Sequence, residues 1–134
     1  MIIGFTGAQG GMNASQYKQV SEFIQVFAPT EVHHGDCIGV DTDFHNICAN
    51  KAKIIIHPPS NNSKRSYCKG GSVLCQKPYL QRNKDIVDSS DILFACPISK
   101  EILRSGTWST IRYAKKCNKI IIIFHPDSIE RIGI

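Results

Sequence analysis

Three short segments rich in glycine and hydroxyl residues have the chemistry of a phosphate-binding site. They are "TGAQGGMN" (6–13), "GDCIGVD" (35–41) and "RSGT" (104–107). Glycine lets a backbone approach a ligand closely, and the start of a following helix offers unpaired N–H groups and the positive end of its dipole. The first segment matches neither the dinucleotide-binding G-x-G-x-x-G spacing nor the P-loop, so taken alone it is equally typical of a tight turn.

The third segment begins the stretch "RSGTWSTIRYAKK" (104–116), which has the pattern of a helix start. Ser105 and Gly106 keep the turn open, Thr107 offers a hydroxyl, and Arg104 adds a cation, so the segment is a candidate cradle for a phosphate. The simpler interpretation is that Ser105 or Thr107 only caps the helix and that Trp108 only packs.

Histidines and cysteines do not predict a metal site. His33, His34 and His45 lack a metal-ligand spacing with a nearby carboxylate, and the six cysteines contain no C-x-x-C pair. We therefore predict no metal and no cofactor, and interpret the cysteines as reduced and mostly buried.

The elements that must position these segments alternate along the chain. Near-continuous apolar runs, typical of strands covered on both faces, predict strands over 2–5, 31–34, 53–57, 91–96 and 119–124. Helical spacing follows Asn13 or Ser15, Asp41 and Pro78, and resumes near Thr107. The alternation predicts an α/β fold, a doubly wound, Rossmann-like domain over 1–134 with a mainly parallel five-stranded sheet and helices on both faces. Ligands bind such sheets at the carboxyl ends of the strands, where the three segments lie.

Composition and charge limit the class of protein and of partner. The 134 residues are 42% hydrophobic and carry a formal net charge of +5, which favours anionic partners without choosing among them. No apolar stretch is long enough to span a bilayer, and the N-terminal residues lack the pattern of a secretory leader, so we expect a cytoplasmic protein with no membrane partner. The long basic loop 58–77 is either a lid over an anion or a flexible excursion.

Several of these segments resemble the SLOG superfamily of Rossmann-like proteins. "RSGTWSTIRYAKK" and "HGDCIGVDTDFH" are similar to motifs of the DNA-processing protein DprA/Smf. "RNKDIVDSSDILFACP" is similar to an element shared with the YspA and YpsA-related branches. The superfamily also contains the Lonely Guy phosphoribohydrolases, and the resemblance covers nearly the whole chain in the right order.

The resemblance implies a site for a nucleotide or another phosphorylated small molecule. Arg82 would stabilise anionic oxygens, and Asn83 would hold a loop or a ribose by hydrogen bonds. The candidate ligand-binding residues are Gly7, Ala8, Gly10, Gly11, Gly35, Gly39, Asp41, Arg82, Asn83, Arg104, Ser105, Gly106 and Thr107.

At one position the sequence departs from the Lonely Guy enzymes in a way that favours binding over catalysis. Lonely Guy enzymes carry a glutamate for N-glycosidic cleavage, and Thr110 stands at its place here. An oxocarbenium-like transition state needs a nearby anion, for which Asp36, Asp41 and Glu101 are the candidate catalytic substitutes. Our leading hypothesis is therefore a small protein that senses or sequesters a nucleotide-derived ligand.

The sequence is also compatible with two other functions and with a homodimer. The first is a nucleoside 5'-monophosphate N-glycosidase, and the second is DprA-like binding of single-stranded nucleic acid, for which the net charge speaks mildly. Exposed faces of the last two helices would allow a homodimer, as in many members of the superfamily.

Overall fold

The apolar runs form strands, and the segments of helical spacing between them form helices. The computed structural model describes residues 1–133, so Ile134 of the predicted domain lies outside the described residues. The strands are β1 (Ile2–Gly7), β2 (Glu31–His34), β3 (Lys53–Ile56), β4 (Ser72–Val73), β5 (Ile92–Cys96), β6 (Ile120–Phe124) and β7 (Ile129–Ile132). The helices are α1 (Ala14–Phe27), α2 (Val40–Cys48), α3 (Tyr79–Asp88) and α4 (Gly106–Lys116), and one 3-10 turn covers Asn62–Lys64.

All of these strands form one sheet in the order β4-β3-β2-β1-β5-β6-β7. Neighbouring strands are parallel except for β6 and β7. The predicted α/β class and mainly parallel sheet are confirmed, but the described residues form seven strands rather than five. The two additional strands lie at the sheet edges. Both residues of β4 are exposed, as are Glu130 and Arg131 in β7, so neither strand shows the apolar run of a buried one.

The central strands are buried on both faces. In β5, Ile92, Phe94 and Cys96 belong to one core cluster, while Leu93 and Ala95 belong to the other. Successive side chains of a strand point to opposite faces, which is why a buried parallel strand is apolar without alternation.

Two pairs of helices cover the two faces. The first core cluster contains Val20 and Ile24 of α1 and Phe44 and Ile47 of α2. The second contains Val87 of α3 and Trp108, Ile111 and Ala114 of α4. The structure is therefore a three-layer sandwich with helices on both faces of the sheet.

The strand order reverses between β1 and β5. From β1 the chain proceeds outward through β2, β3 and β4, and it then returns to the opposite side of β1 as β5. Gly7 and Cys96, the last residues of these two strands, are register partners. Helices leave the two strands on opposite faces of the sheet, which opens a crevice at their carboxyl ends.

Residues 1–133 contain no helix that is both long enough and apolar enough to cross a membrane.

Candidate functional site

A cleft of about 570 Å³ opens at the reversal point between β1 and β5. We call it the switch-point cleft. It is lined by the ends of β1 and β2, the start of α3, the segment after β5 and the start of α4. Of the candidate residues, the structure brings Gly7, Ala8, Gly10, Gly35, Asp41, Arg82, Asn83, Ser105, Gly106 and Thr107 to this cleft. Its volume lies in the range of sites for small organic ligands.

The N-terminus of α4 presents unpaired N–H groups at the cleft. Ser105 is the N-cap, because its Oγ accepts from the Trp108 N–H at 3.2 Å. The N–H groups of Gly106 and Thr107 donate to no described residue, and both residues line the cleft. This terminus therefore combines open donors with the positive end of a helix dipole.

The turn after β1 adds donors from the opposite wall. Ala8 is anchored on both sides, since its N–H donates to the Cys96 carbonyl at 3.2 Å and its own carbonyl accepts from Val40 N–H at 3.0 Å. The N–H groups of the next two residues, Gln9 and Gly10, donate to no described residue. A Cβ atom built on Gly10 or on Gly106 would meet no atom within 4 Å, so packing within residues 1–133 explains neither glycine.

The start of α1 lies outside the cleft, contrary to the expectation for the first glycine segment. Asn13 caps the N-terminus of this helix in a capping box. Its side chain accepts from Gln16 N–H, and the Gln16 side chain accepts from Asn13 N–H. Met12 N–H donates to Asp43 at 2.8 Å. Gly11 has a φ of 87° and serves this turn, and it does not line the cleft.

Asp41 is a buried carboxylate in the lining of the cleft. The residue is 5% exposed, and its Oδ2 accepts from Cys37 N–H at 3.1 Å. The other oxygen, Oδ1, has no hydrogen-bond partner among the described residues. Burial raises the pKa of Asp41 to about 6, although the nearby Arg82 guanidinium acts in the opposite direction.

Arg82 holds the walls of the cleft together and does not offer a free positive charge to a ligand. Its Nη1 donates to the carbonyls of Gly35 and His57, and its Nε donates to Asn83 Oδ1 at 2.7 Å. Arg82 is only 5% exposed, so it ties the ends of β2 and β3 to α3. The guanidinium is largely occupied, unlike the free anion ligand implied by the family resemblance.

Four other candidates lie away from the cleft. Both carboxylate oxygens of Asp36 are engaged, with Oδ2 accepting from Arg65 Nε and Oδ1 from Cys68 N–H, each at 2.9 Å. Glu101 is exposed and pairs with Arg112 at 3.0 Å. Arg104 is exposed and does not line the cleft. Gly39 packs against the Gln9 backbone.

None of the residues of the basic loop 58–77 lines the switch-point cleft. Asp36 instead holds it against the segment after β2, and its residues Ser72–Val73 extend the sheet as β4. Two of its cations pair with carboxylates, Arg65 with Asp36 at 2.9 Å and Lys77 with Asp85 at 2.7 Å.

The apolar wall of the cleft was not predicted. Trp108, which the sequence placed in the core, lines the cleft as well, and its Nε1 donates to the Ser99 carbonyl at 3.3 Å. Tyr79 and the loop residues Ile98 and Ile102 complete the wall, and the two isoleucines are 65% and 53% exposed. The sequence feature that could have predicted this wall is the pair of large apolar residues inside the polar segment after β5.

One cluster of potential metal ligands exists within the described residues. Ligand atoms of His34, His45 and Cys68 lie within 4.8 Å of one another. His34 Nδ1 accepts from Asp36 N–H at 2.9 Å, so the neutral ring carries its proton on Nε2, which donates to His45 Nδ1 at 2.9 Å. His45 Nε2 then donates to the Lys69 carbonyl at 2.7 Å. A metal at His34 Nε2 would have to displace this proton, so the cluster fits a hydrogen-bond chain better than a metal centre.

Burial supports this assignment of protons. It lowers the pKa of His34 to about 3, with His45 contributing in the same direction. The His34 ring is thus neutral at ordinary pH, as the hydrogen-bond chain described above requires.

Three solved structures resemble this fold. A molybdenum cofactor binding protein from the phototrophic bacterium Rippkaea orientalis matches with a TM-score of 0.72 and 24% identity over 94% of this chain and 77% of its own. The Moco carrier protein from Chlamydomonas reinhardtii matches with a TM-score of 0.62 and 17% identity, covering 92% and 75%. The structural genomics target TM1055 matches with a TM-score of 0.66 and 16% identity, covering 90% and 71%. No protein-family model matches the sequence, and a search of curated proteins finds no match.

At these identities the likeness establishes the fold. Fold and cleft together define a Rossmann-like α/β protein with a ligand-sized cleft at its switch point.

Proposed function

We propose that this protein binds a phosphorylated heterocyclic small molecule in the switch-point cleft and thereby senses, sequesters or carries it. The observation that carries the proposal is the pair of backbone segments, Gln9–Gly10 and Gly106–Thr107, whose open N–H groups line the same cleft. Such donors, with the dipole of α4 behind them, suit the oxygens of a phosphate.

The apolar wall supports a flat ring as the remainder of the ligand. Trp108, Tyr79, Ile98 and Ile102 offer contact area for an aromatic heterocycle beside the phosphate donors. Two similar structures are described as binding or carrying the molybdenum cofactor. A nucleotide and a phosphopterin share the required chemistry, and both belong to the proposed ligand class.

The order of the loop motifs along the chain supports assignment to the SLOG type. The three motifs "HGDCIGVDTDFH", "RNKDIVDSSDILFACP" and "RSGT" all contribute residues to the cleft lining. Membership of this superfamily is part of the proposal, as are the individual ligand-binding roles of the lining residues.

A charge placed at Gly106 tests the phosphate site. Gly106→Asp puts an anion at the start of α4, where it suits the helix dipole and should leave folding intact, but it repels a phosphate. Gly106→Asn is nearly the same size and uncharged, so it is the matched control. Binding is measured by isothermal titration with guanosine monophosphate and with a pterin monophosphate. Wild type should bind, and the affinity of Gly106→Asp should be at least about tenfold weaker than that of Gly106→Asn.

Two results would overturn the proposal. One is that neither probe binds to the wild-type protein. The other is equal affinity of the Asp and Asn variants, which would place the bound phosphate away from α4. Circular dichroism and a thermal melt confirm that both variants are folded.

A second candidate function, N-glycosidase activity, rests on Asp41. Of the three acids considered, Asp41 alone is in the cleft lining, and its unpaired oxygen could stabilise an oxocarbenium-like transition state. Thr110, at the place of the family glutamate, is buried and donates to the Gly106 carbonyl at 2.8 Å. Chromatography of nucleoside monophosphates after incubation should reveal free base if this function is real, and Asp41→Asn should abolish its release.

Binding of single-stranded nucleic acid and formation of a homodimer stay predictions of the resemblance. Among the described residues that line the cleft, Arg82 is the one cation, and it is occupied by protein acceptors. Salt-dependent gel shifts and gel filtration test these two predictions.

A further inference from the structure

The unpaired oxygen of Asp41 marks a specific polar contact for a ligand. A buried polar atom without a partner costs free energy, and a carboxylate oxygen costs more than a neutral one. Asp41 is 5% exposed, its Oδ1 has no partner within residues 1–133, and the residue lines the switch-point cleft. A ligand in the cleft can supply the missing donor.

The position of Asp41 relative to α4 limits which part of the ligand that donor belongs to. Asp41 follows β2 and the start of α4 follows β5, and these strands are separated by β1. The ends of β2 and β5, from which these two segments leave the sheet, are therefore about 10 Å apart. The hydroxyls of a phosphorylated ribose lie much nearer to their phosphate than this, whereas the polar edge of a base or pterin lies at the far end of the molecule.

We infer that Asp41 is the specificity residue of the cleft and accepts a hydrogen bond from the amino-bearing edge of a 2-amino-4-oxopyrimidine ring, as found in guanine and in pterins. This inference rests on the proposed function, because it assumes a phosphate at α4. In such rings the exocyclic amino group and the adjacent ring N–H both donate, which suits a carboxylate that has only acceptors. Adenine presents a ring acceptor beside its amino group, and xanthine and lumazine present a carbonyl oxygen in place of the 2-amino group.

Asp41→Asn inverts the polarity of this contact with little change of shape. Cys37 N–H needs an acceptor, so the amide oxygen of the new side chain takes the place of Oδ2. The amide nitrogen then stands where Oδ1 stood, and a donor replaces the acceptor. The variant should reject a 2-amino group and accept a 2-oxo group.

Two matched pairs of probes test the inference by isothermal titration. The purine pair is guanosine monophosphate with xanthosine monophosphate, and the pterin pair is 6-hydroxymethylpterin monophosphate with its lumazine counterpart. Wild type should bind the amino member of at least one pair at least about tenfold more tightly than the oxo member. Asp41→Asn should reverse that preference, and the pair that responds identifies the source of the ring.

The outcomes separate this inference from the proposed function. Tight binding that depends on the charge at position 106 but ignores the amino or oxo substituent would overturn only the role of Asp41. Unchanged preference in a folded Asp41→Asn variant would do the same. If the variant does not fold, the wild-type preference within each pair still decides, and binding of no probe overturns both proposals.

Discussion

Only one oxygen of the buried Asp41 carboxylate has a hydrogen-bond partner within the described residues. Its Oδ1 lacks a partner among residues 1–133, and burial raises its pKa from 3.8 to about 6. The charged groups around it are Arg82, which favours ionisation, and Asp36, which opposes it. Buried polar groups without a partner are common where stability is exchanged for function.

Linkage gives the sign of the effect on stability. Because the folded pKa lies above the unfolded value, the folded state binds more protons between about pH 4 and pH 6. The free energy of unfolding therefore falls as pH rises through this window, and the cost of ionised Asp41 is complete above about pH 6. A difference of about 2 pKa units corresponds to about 3 kcal/mol.

Asp41→Asn should remove this pH-dependent cost. We expect the variant to be more stable relative to wild type at pH 7.5 than at pH 4.5, by about 2 kcal/mol, since the amide does not ionise. Urea unfolding of both proteins at the two pH values measures the difference, in which titration of the histidines cancels. An equal difference at both pH values would contradict the raised pKa.

At the scale of elements, the turns after β1 and β2 position the cleft by packing against each other. Gly39 has a φ of 91° and immediately precedes α2. A Cβ atom there would overlap the carbonyl group of Gln9, in the turn that presents the open N–H groups. Gly39 thus lets the two turns pack together, and it does not line the cleft.

Gly39→Ala should destabilise the protein by about 2 kcal/mol or more, because it adds backbone strain to a steric overlap. Gly10→Ala is the matched control, since Gly10 has no neighbour within 4 Å of its missing Cβ and should change stability by less than about 0.5 kcal/mol. Urea midpoints compare the two variants. Equal stability of Gly39→Ala and Gly10→Ala would show that the two turns move apart freely.

The elements show which parts of the structure could be predicted from the sequence. Central strands such as "KIIIIF" (119–124) were predictable because burial on both faces leaves a continuous apolar run. The edge strand β7 was not, since only its ends are half-buried and Glu130 and Arg131 face solvent. The open N–H groups of α4 were predictable from its small residues. The N-terminus of α1 is instead capped by Asn13 and Gln16, in a capping box that begins two residues after Gly11.

The partners of the three candidate acids were beyond sequence reasoning. Asp36, Asp41 and Glu101 look equivalent as acids in the sequence, and only the fold gives Asp36 to Arg65, Glu101 to Arg112 and leaves Asp41 Oδ1 unpaired. Such pairings join residues far apart in the chain, so they depend on tertiary packing that spacing does not encode.

At the scale of the whole molecule, both helical layers depend on the same strands. One face of β5 and β6 supplies Phe94 and Ile122 to the core cluster under α1 and α2. The opposite face supplies Leu93 and Ile121 to the cluster under α3 and α4. Neither cluster can be exposed without disrupting a strand on which the other depends, and the cleft lies between loops from both layers.

This sharing predicts that residues 1–134 unfold as one cooperative domain. Scanning calorimetry should give a calorimetric enthalpy equal to the van't Hoff enthalpy, and far-UV dichroism and Trp108 fluorescence should report the same transition in urea. A saturating ligand of the cleft should raise the midpoint of that single transition, by the free energy of binding to the folded state. Two separated transitions, or a fluorescence change that precedes the loss of helix, would mean that the α3–α4 layer opens independently and that the cleft is not a rigid site.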